Sequence, residues 1–170
     1  MEAMRWAAGL PVSGVPDTPT PNHAQVLNLS LGVSSEPCTN FEQAVFAEIL
    51  SAGTVKAIVT AAGNDGGAAS QSSPGSCDGA VNVAGILISG AKASASNFGA
   101  GVTVAAPYGS SANDGVGSSG AILSLGNDGT TSFIASPGGD IVLEVGGTSF
   151  SAPLVSGVVS LMLSVNPNLS

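Results

Sequence analysis

A serine at the start of an apolar helix is the feature of this sequence best suited to do chemistry. Ser149 lies in the segment 147–153, Gly-Thr-Ser-Phe-Ser-Ala-Pro, and an apolar run follows as far as Leu163. Pro153 is predicted to lie in the first helical turn, where proline is tolerated. A hydroxyl there lies beside unpaired backbone N–H groups and the positive end of the helix dipole, which stabilise an oxyanion. The segment therefore indicates a nucleophile for acyl transfer.

The same segment also has a purely structural explanation. Threonine and serine are preferred N-cap residues, so Thr148 and Ser149 could be needed only to start the helix. A serine hydroxyl is also a weak nucleophile until a base removes its proton. The apolar run leaves little room for a polar face, so the helix is predicted to be buried on most sides. Spacing alone leaves the capping role and the catalytic role open.

Asn64 is a second candidate for the chemistry. It follows the apolar segment 55–61, which is predicted to form a buried strand. In open α/β sheets, active sites lie at the carboxyl ends of the strands. A side-chain amide suits an oxyanion because it donates a hydrogen bond and carries no charge. The alternative is a turn residue, since Gly-Asn-Asp-Gly is a good turn by itself.

Four blocks, spread over nearly the whole chain, carry a family resemblance. They are Val-Leu-Asn-Leu-Ser-Leu-Gly at 26–32, Ile-Val-Thr-Ala-Ala-Gly-Asn at 58–64, Ser-Asn-Phe-Gly at 96–99 leading to Val-Ala-Ala-Pro at 104–107, and the serine segment from 147. In this order they resemble the subtilisin-like serine peptidases (subtilases), most closely the secreted bacterial members. The resemblance implies an α/β fold, a subtilisin-like three-layer sandwich with a mostly parallel sheet.

The resemblance also implies a role for each site residue. Ser149 is the expected nucleophile, and the Asn64 side chain is the expected oxyanion donor beside the Ser149 backbone N–H. Two short segments are expected to line the substrate pocket and pair with an extended peptide, as in β-augmentation. They are Ser30, Leu31, Gly32 and Ala61, Ala62, Gly63. Val33 replaces a glycine frequent in the family, which narrows the expected pocket entrance. The alternative is that both segments are ordinary strand ends.

A general base is missing from the recognisable motifs. Subtilisin places its triad in the order Asp, His, Ser, so the first two should precede residue 26. His23 is the one histidine, and it lies in a proline-rich loop without His-Gly-Thr surroundings. Asp17 lacks the Asp-Ser/Thr-Gly context, whereas residues 1–6 resemble the helix after the catalytic histidine. Residues 1–170 are therefore expected to form a partial catalytic domain whose N-terminal part, with the triad Asp and His, is missing.

Two functions follow from these motifs. The first is a serine endopeptidase, a hydrolase that cleaves peptides or proteins through an acyl-enzyme on Ser149. In that case the chain is part of a longer protein, and a propeptide is a further expected partner. The second is a non-catalytic fragment or peptide-binding module. Neither needs a cofactor for chemistry. The sequence does not decide whether structural calcium is bound. The Asp-rich loop at 113–128 offers oxygen ligands but lacks the regular spacing of a calcium-binding loop.

Composition and the two cysteines indicate the number of domains, the classes of partner and the cellular location. A chain of 170 residues fits one domain, and its net charge of −8 opposes nucleic acid and anionic membranes as partners. No apolar run reaches the length of a membrane span, and a monomer is expected. By the resemblance, Cys38 and Cys77 form a disulfide, which would fit a secreted, extracellular protein. Two separate buried thiols are the alternative.

The remaining pattern alternates strands and helices, which favours a parallel sheet with crossovers. Asn40 is predicted to cap a helix over 41–52 with Gln43 at the capping-box position, and a helix is expected to end near Gly9. Strands are predicted at 25–30, 55–61, 80–85, 101–105, 122–125 and 141–145, and residues 10–23 are predicted to form an extended loop.

Overall fold

A four-stranded parallel sheet forms the centre of the protein. The computed structural model describes residues 1–109 and 120–169. Along the sheet the strands follow the order β1-β3-β5-β6, and every neighbouring pair is parallel. In chain order the elements are α1 (Glu2–Ala7), β1 (Val26–Leu29), β2 (Val33–Ser34), α2 (Asn40–Ser51), β3 (Ala57–Ala61), β4 (Ser72–Ser73), β5 (Ala80–Ile86), β6 (Val104–Pro107), β7 (Ile122–Asn127), β8 (Asp140–Val145) and α3 (Thr148–Val165).

Alternating side chains of β3 divide the core into two layers on opposite faces of the sheet. Ile58 points toward α1 and α2, where it packs with Phe46 and Ile49. Val59 points the other way, into a cluster that includes Ala152 of α3. Since successive side chains of a strand face opposite sides, this pattern places helices on both faces. The three-layer α/β sandwich with a mainly parallel sheet is confirmed.

The cap of α2 differs from the prediction by one residue. Thr39, not Asn40, is the N-cap, and its side chain accepts a hydrogen bond from the backbone N–H of Glu42. The Glu42 side chain accepts in return from the Thr39 backbone N–H, which completes a capping box. Asn40 begins the helix and Gln43 lies one position beyond the box. The prediction was wrong because Thr39-x-x-Glu42 and Asn40-x-x-Gln43 both match the motif, and a carboxylate is the stronger acceptor.

The helix α3 begins earlier than Pro153 and is less buried than predicted. It starts at Thr148, so Pro153 is an interior residue rather than part of the first turn. One side of α3 contacts the four parallel strands, whereas Leu161 is 69% and Val165 87% exposed. Within residues 1–109 and 120–169, nothing packs against that outer side. The prediction of burial on most sides was wrong because an apolar sequence does not show how many other elements pack against the helix.

The length of α3 contradicts the expectation that no apolar segment is long enough to span a membrane. The helix has 18 residues and is long and apolar enough, by length and composition alone, to cross a membrane. The helix is longer than the apolar run in the sequence because it already begins at Thr148, before that run. Ser151 Oγ donates to the Pro107 carbonyl at the end of β6, and Ser156 Oγ donates to Asn28 Oδ1 of β1. These bonds, together with Ala152 and its apolar neighbours, attach one side of α3 to the sheet.

Several predicted boundaries shift by a few residues. The largest difference is at β6, predicted over 101–105 and found at Val104–Pro107. Gly99 and Gly101 have φ values of +84° and +94°, and the Val102 N–H donates to the Gly99 carbonyl. This tight turn delays the strand, because such backbone angles are incompatible with an extended chain. The pair β7–β8 forms a separate antiparallel hairpin.

The disulfide between Cys38 and Cys77 is present, with the two Cα atoms 5.0 Å apart. It joins the segment before α2 to the segment between β4 and β5. Next to it, the Cys38 backbone N–H donates to Ser76 Oγ at 2.8 Å. The bridge and this hydrogen bond together fasten α2 to the part of the chain that carries β4.

We expect the double substitution Cys38→Ser/Cys77→Ser to lower the free energy of unfolding by about 4 kcal/mol, since the bridge closes a loop with a sequence separation of 39. For a domain of this size, that corresponds to a fall of about 10 °C in the calorimetric melting temperature. A reducing agent should lower the melting temperature of the wild type by the same amount and leave the double variant unchanged. Equal melting temperatures for both proteins would contradict the stabilising role.

Candidate active site

A cleft at the carboxyl ends of β1 and β3 contains most of the residues singled out in the sequence. It has a volume of about 320 Å³. Ser149, the second residue of α3, lines it together with Asn64. From the two predicted pocket segments, the cleft is lined by Leu31, Gly32, Ala61 and Gly63. Parallel strands bring their carboxyl ends to one edge of the sheet, which is why these separate segments meet.

Ser30 and Ser149 are joined by two hydrogen bonds. The Ser30 hydroxyl donates to the Ser149 carbonyl at 2.6 Å, and the Ser149 hydroxyl donates to the Ser30 carbonyl at 3.3 Å. The Ser149 carbonyl would otherwise accept the i+4 bond of the helix, but Pro153 has no N–H to donate. Ser30 therefore supplies the bond that the interior proline removes. This contact fixes the first turn of α3 against the end of β1.

Asn64 is held by Thr148, the residue before Ser149. The Asn64 side-chain carbonyl accepts from the Thr148 backbone N–H at 2.9 Å and from the Thr148 hydroxyl at 3.1 Å. The completely buried Thr148 hydroxyl also accepts from the Gly63 backbone N–H at 3.2 Å. These two bonds use the Asn64 Oδ1 atom as the acceptor and leave the amide nitrogen to donate elsewhere. Within the described residues that nitrogen donates to no acceptor.

The helix start itself depends on a glycine. Gly147 has a φ of +138°, a value that side chains rarely permit, and its N–H donates to the Tyr108 carbonyl at 2.7 Å. This conformation turns the chain from the end of β8 into α3. The Ser149 backbone N–H, two residues later, also lacks an acceptor within residues 1–109 and 120–169. Two N–H donors without acceptors, those of Ser149 and Asn64, therefore belong to residues that line one cleft.

Asn97 holds the loop that carries Asn64, a role that the sequence did not reveal. Its buried amide group donates to the Ala62 carbonyl and to Ser72 Oγ, each at 2.9 Å. Its side-chain carbonyl accepts from the backbone N–H groups of Asp65 and Gly67 at 3.0 and 2.9 Å. All four hydrogen-bonding positions of the side chain are thus satisfied. The Ser-Asn-Phe-Gly block marked this segment, but nothing in its spacing indicated these partners.

The strands β2 and β4 form one wall of the cleft. Val33 pairs with Ser73 and Ser34 pairs with Ser72 in an antiparallel ladder. Gly32 approaches this wall so closely that a Cβ atom would lie 2.5 Å from the Ser73 carbonyl oxygen. The glycine in the predicted pocket segment is therefore required by packing. Val33 lines the cleft and is 53% exposed.

Glu42 supports this wall from behind. Burial raises the pKa of the Glu42 carboxyl, but hydrogen bonds from Ser73 Oγ and from the backbone and side chain of Thr39 lower it by more. The net result is a pKa below the ordinary value, because those donors favour the ionised form. The carboxylate thus joins the cap of α2 to β4.

His23 and Asp17 do not take part in the cleft. His23 lines a different cavity with Ser160 and Leu163, and its Nε2 lies 2.9 Å from the Thr18 carbonyl oxygen. Ser160 follows Ser149 by eleven residues in the same helix, which corresponds to about 16 Å along its axis. His23 precedes β1, whereas the cleft lies beyond the other end of that strand. Neither residue is among those that line the cleft.

One group of ligand-type side chains lies close together among the described residues: Cys38, Glu42 and Cys77. Both sulfur atoms belong to the disulfide, so neither is a thiolate that could bind a metal ion. Of the Asp-rich loop at 113–128, the turn Asn113-Asp114-Gly115 lies outside the described residues.

Comparisons with known proteins identify the family. A sequence profile described as the subtilase family matches residues 1–170. The chain belongs to the subtilase family. This subtilase chain is 42% identical over 166 residues to an extracellular protease of Xanthomonas campestris pv. campestris and 36% identical over 163 residues to an extracellular basic protease of Dichelobacter nodosus. It covers 25% and 24% of those proteins, while they cover 98% and 96% of it. The chain thus spans about a quarter of the length of these curated relatives.

Solved structures agree with the family assignment. A protease of Pseudoalteromonas arctica superposes on this subtilase with a TM-score of 0.84 and 38% identity, covering 97% of this chain and 45% of that one. A cold-adapted subtilisin-like serine proteinase gives a TM-score of 0.58 at 26% identity, covering 86% of this chain and 44% of that one. The fold expected from the sequence resemblance is therefore shared with solved proteases.

We expect Glu42→Gln to lower the free energy of unfolding at pH 7 by about 1–2 kcal/mol, because an amide accepts these hydrogen bonds less strongly. The folded-state pKa of Glu42 is depressed, so its contribution is fully present above the unfolded value near 4.5. That contribution is lost as the pH falls through the lower folded pKa. Denaturant titrations from pH 7 to pH 3 should show the two proteins converging in stability. A difference that stays constant over this range would contradict the assignment.

Proposed function

We propose that the chain carries the nucleophile and the oxyanion hole of a serine endopeptidase within a longer protein, as a partial catalytic domain. In this proposal Ser149 Oγ attacks the peptide carbonyl and forms an acyl-enzyme. The Ser149 backbone N–H and the Asn64 side-chain amide donate hydrogen bonds to the oxyanion that develops. The observation that carries the proposal is that both donors lack acceptors within the described residues and belong to residues that line the same cleft as the Ser149 hydroxyl.

The pocket segments support binding of an extended peptide. Among the described strands, β1 is an edge strand of the parallel sheet. Its carboxyl end is followed by Ser30, Leu31 and Gly32. Ala61 is the last residue of β3, and Ala62 and Gly63 follow it. Small residues leave space for a peptide backbone to approach and pair with the chain. We propose that a peptide or protein substrate lies between these two segments and presents its scissile carbonyl to Ser149.

A general base must come from outside these segments. The Ser149 hydroxyl donates to the Ser30 carbonyl, which cannot remove its proton, and no histidine lines the cleft. These two observations favour a second candidate function, a module that binds extended peptides without cleaving them. We expect the 170-residue polypeptide by itself to hydrolyse peptides poorly, with a small residual rate from the oxyanion donors and binding alone.

The setting of the protein is inferred from its relatives and composition. Both relatives are named extracellular, and the disulfide fits an oxidising compartment, so we propose that this protein is secreted. A net charge of −8 supports the proposal that it binds neither nucleic acid nor anionic membranes. We further propose a monomer that needs no cofactor for chemistry. A propeptide and structural calcium stay open as partners.

Labelling with a peptide phosphonate tests the assigned chemistry, because such reagents form a covalent bond with an activated serine hydroxyl. In the protein as its gene encodes it, we expect one label on Ser149 and none in Ser149→Ala. Asn64→Ala should label about 10²–10³-fold more slowly, which is the loss measured for this type of donor in a subtilisin itself. Ser164→Ala, on the same helix, is the matched control and should label like the wild type, because the exposed Ser164 hydroxyl donates to the Leu161 carbonyl within α3 and not to the cleft.

Three results would decide against the proposal. Labelling of Ser149→Ala at the wild-type rate would place the nucleophile elsewhere. An Asn64→Ala variant that folds normally and labels as fast as the wild type would remove Asn64 from the oxyanion hole. Peptide binding without any labelling would favour the peptide-binding module. Circular dichroism and melting temperatures of each variant separate a lost reaction from a lost fold.

A further inference from the structure

The side chain of Lys92 folds back onto the turn that follows it. Its Nζ atom donates to the carbonyls of Ala93, Ser94 and Ser96 at 2.7, 2.9 and 3.0 Å. An ammonium group has three N–H donors, so it can satisfy one carbonyl with each. The ring centre of Phe98 lies 5.2 Å from the same atom, within the range of a cation–π contact. Lys92 is an exposed residue, and an exposed lysine ordinarily keeps its charged end in water. The arrangement therefore indicates a task for the charge inside the protein.

The turn at 93–96 needs a positive charge. Its three carbonyl oxygens converge on one point, and a neutral side chain would leave these partial negative charges facing one another. Hydrogen bonds from an ionised donor are also stronger than those from a neutral one. The other two basic residues of the chain lie elsewhere, because Arg5 pairs with Glu48 and Lys56 directly precedes β3. Lys92 is thus the one cation that holds this turn.

The turn leads directly into Asn97, the residue that holds the Asn64 loop. The Ser96 carbonyl, which accepts from Lys92, shares one planar peptide group with the Asn97 N–H. That N–H donates to the Gly63 carbonyl at 3.0 Å. The buried Ser96 hydroxyl accepts from the Gly85 N–H at 2.8 Å and donates to the Asn97 carbonyl at 2.9 Å. The peptide group that enters Asn97 is therefore fixed on both sides.

The same contacts reach the backbone of Asn64. The Gly63 carbonyl belongs to the peptide group that enters Asn64, so one hydrogen bond and two planar peptide groups separate the Lys92 ammonium contact from that residue. On the far side of Asn64, the Gly66 N–H donates to the Ala95 carbonyl at 2.7 Å. The packing is close, since a Cβ atom on Gly63 would lie 2.3 Å from Asn97 Nδ2. A displaced turn would thus displace the loop.

We propose that Lys92 is a positioning residue for the oxyanion donor Asn64. This proposal rests on the proposed function, because it gives Lys92 a part in a reaction that Ser149 and Asn64 perform. The ammonium orders the turn at 93–96, and the turn holds the backbone on both sides of Asn64. Lys92 is not among the residues that line the cleft, so it acts through the loop and not on the substrate.

Phosphonate labelling of Ser149, in the protein as its gene encodes it, measures this effect. Lys92→Met keeps the apolar stem and removes the ammonium, and we expect labelling to slow by about 3- to 30-fold, the range for residues that act through a network. Lys56→Met is the matched control, because Lys56 is also exposed but lies at the end of β3 opposite to Asn64. It should label like the wild type.

Two further comparisons separate positioning of Asn64 from a general loss of structure. In the Asn64→Ala background, Lys92→Met should change the rate little, because the group that it positions is already absent. Lys92→Ala lacks the atoms that propylammonium supplies, so this ion in the buffer should accelerate labelling of that variant. Tetramethylammonium carries the same charge without an N–H donor and should not. Lys92→Arg keeps the charge and should label at a rate between those of the wild type and Lys92→Met, which provides a test even if Lys92→Met does not fold.

Melting temperatures establish which variants are folded. Labelling of folded Lys92→Met at the wild-type rate, or equal slowing with and without the Asn64 side chain, would overturn this inference alone. A failure of propylammonium to accelerate Lys92→Ala, or equal acceleration by tetramethylammonium, would also overturn it. Absence of any label on Ser149 in the wild type would overturn the proposed function and this inference with it.

Discussion

The candidate site depends on the hydrogen bonds between Thr148 and Asn64. These two residues are 84 positions apart in the chain, yet the Asn64 side-chain carbonyl accepts from both the backbone N–H and the hydroxyl of Thr148. One contact therefore satisfies an N–H at the start of α3, which no helical carbonyl could reach. It also fixes the Asn64 side-chain amide through its oxygen atom. Asn64 and the first turn of α3, which carries Ser149, are thus joined by the same interaction.

The fold supplies the conditions for that contact. Parallel strands end at one edge of the sheet, so the loop after β3 and the helix after β8 meet there. Asn97 fixes the loop with four hydrogen bonds, Gly147 turns the chain into α3, and Ser30 replaces the helical bond that Pro153 removes. Each device acts within a few ångströms of the cleft. The geometry around Ser149 is therefore organised by backbone and neutral side chains, and among the described residues Asp65 is the one charged residue that lines the cleft.

The sequence predicted the parts of this site that depend on local pattern. Residue types and spacing indicated Ser149 as a hydroxyl at a helix start and Asn64 as an amide after a buried strand, and the resemblance gave the α/β sandwich and the Cys38–Cys77 bridge. The roles of Thr148 and Asn97 were not predictable in this way. Each joins segments that are about 30 to 85 residues apart, and single-sequence patterns contain no information on such pairings. The exposure of α3 was missed for the same reason.

A double-substitution cycle on phosphonate labelling tests the central claim most directly, namely that Thr148 acts through Asn64. Thr148→Val keeps the shape of the side chain and removes its hydroxyl, and it should slow labelling of Ser149 in the wild-type background. In the Asn64→Ala background the same substitution should change the rate little, because the group that Thr148 holds is already absent. An equal slowing in both backgrounds, with both proteins folded, would contradict the account.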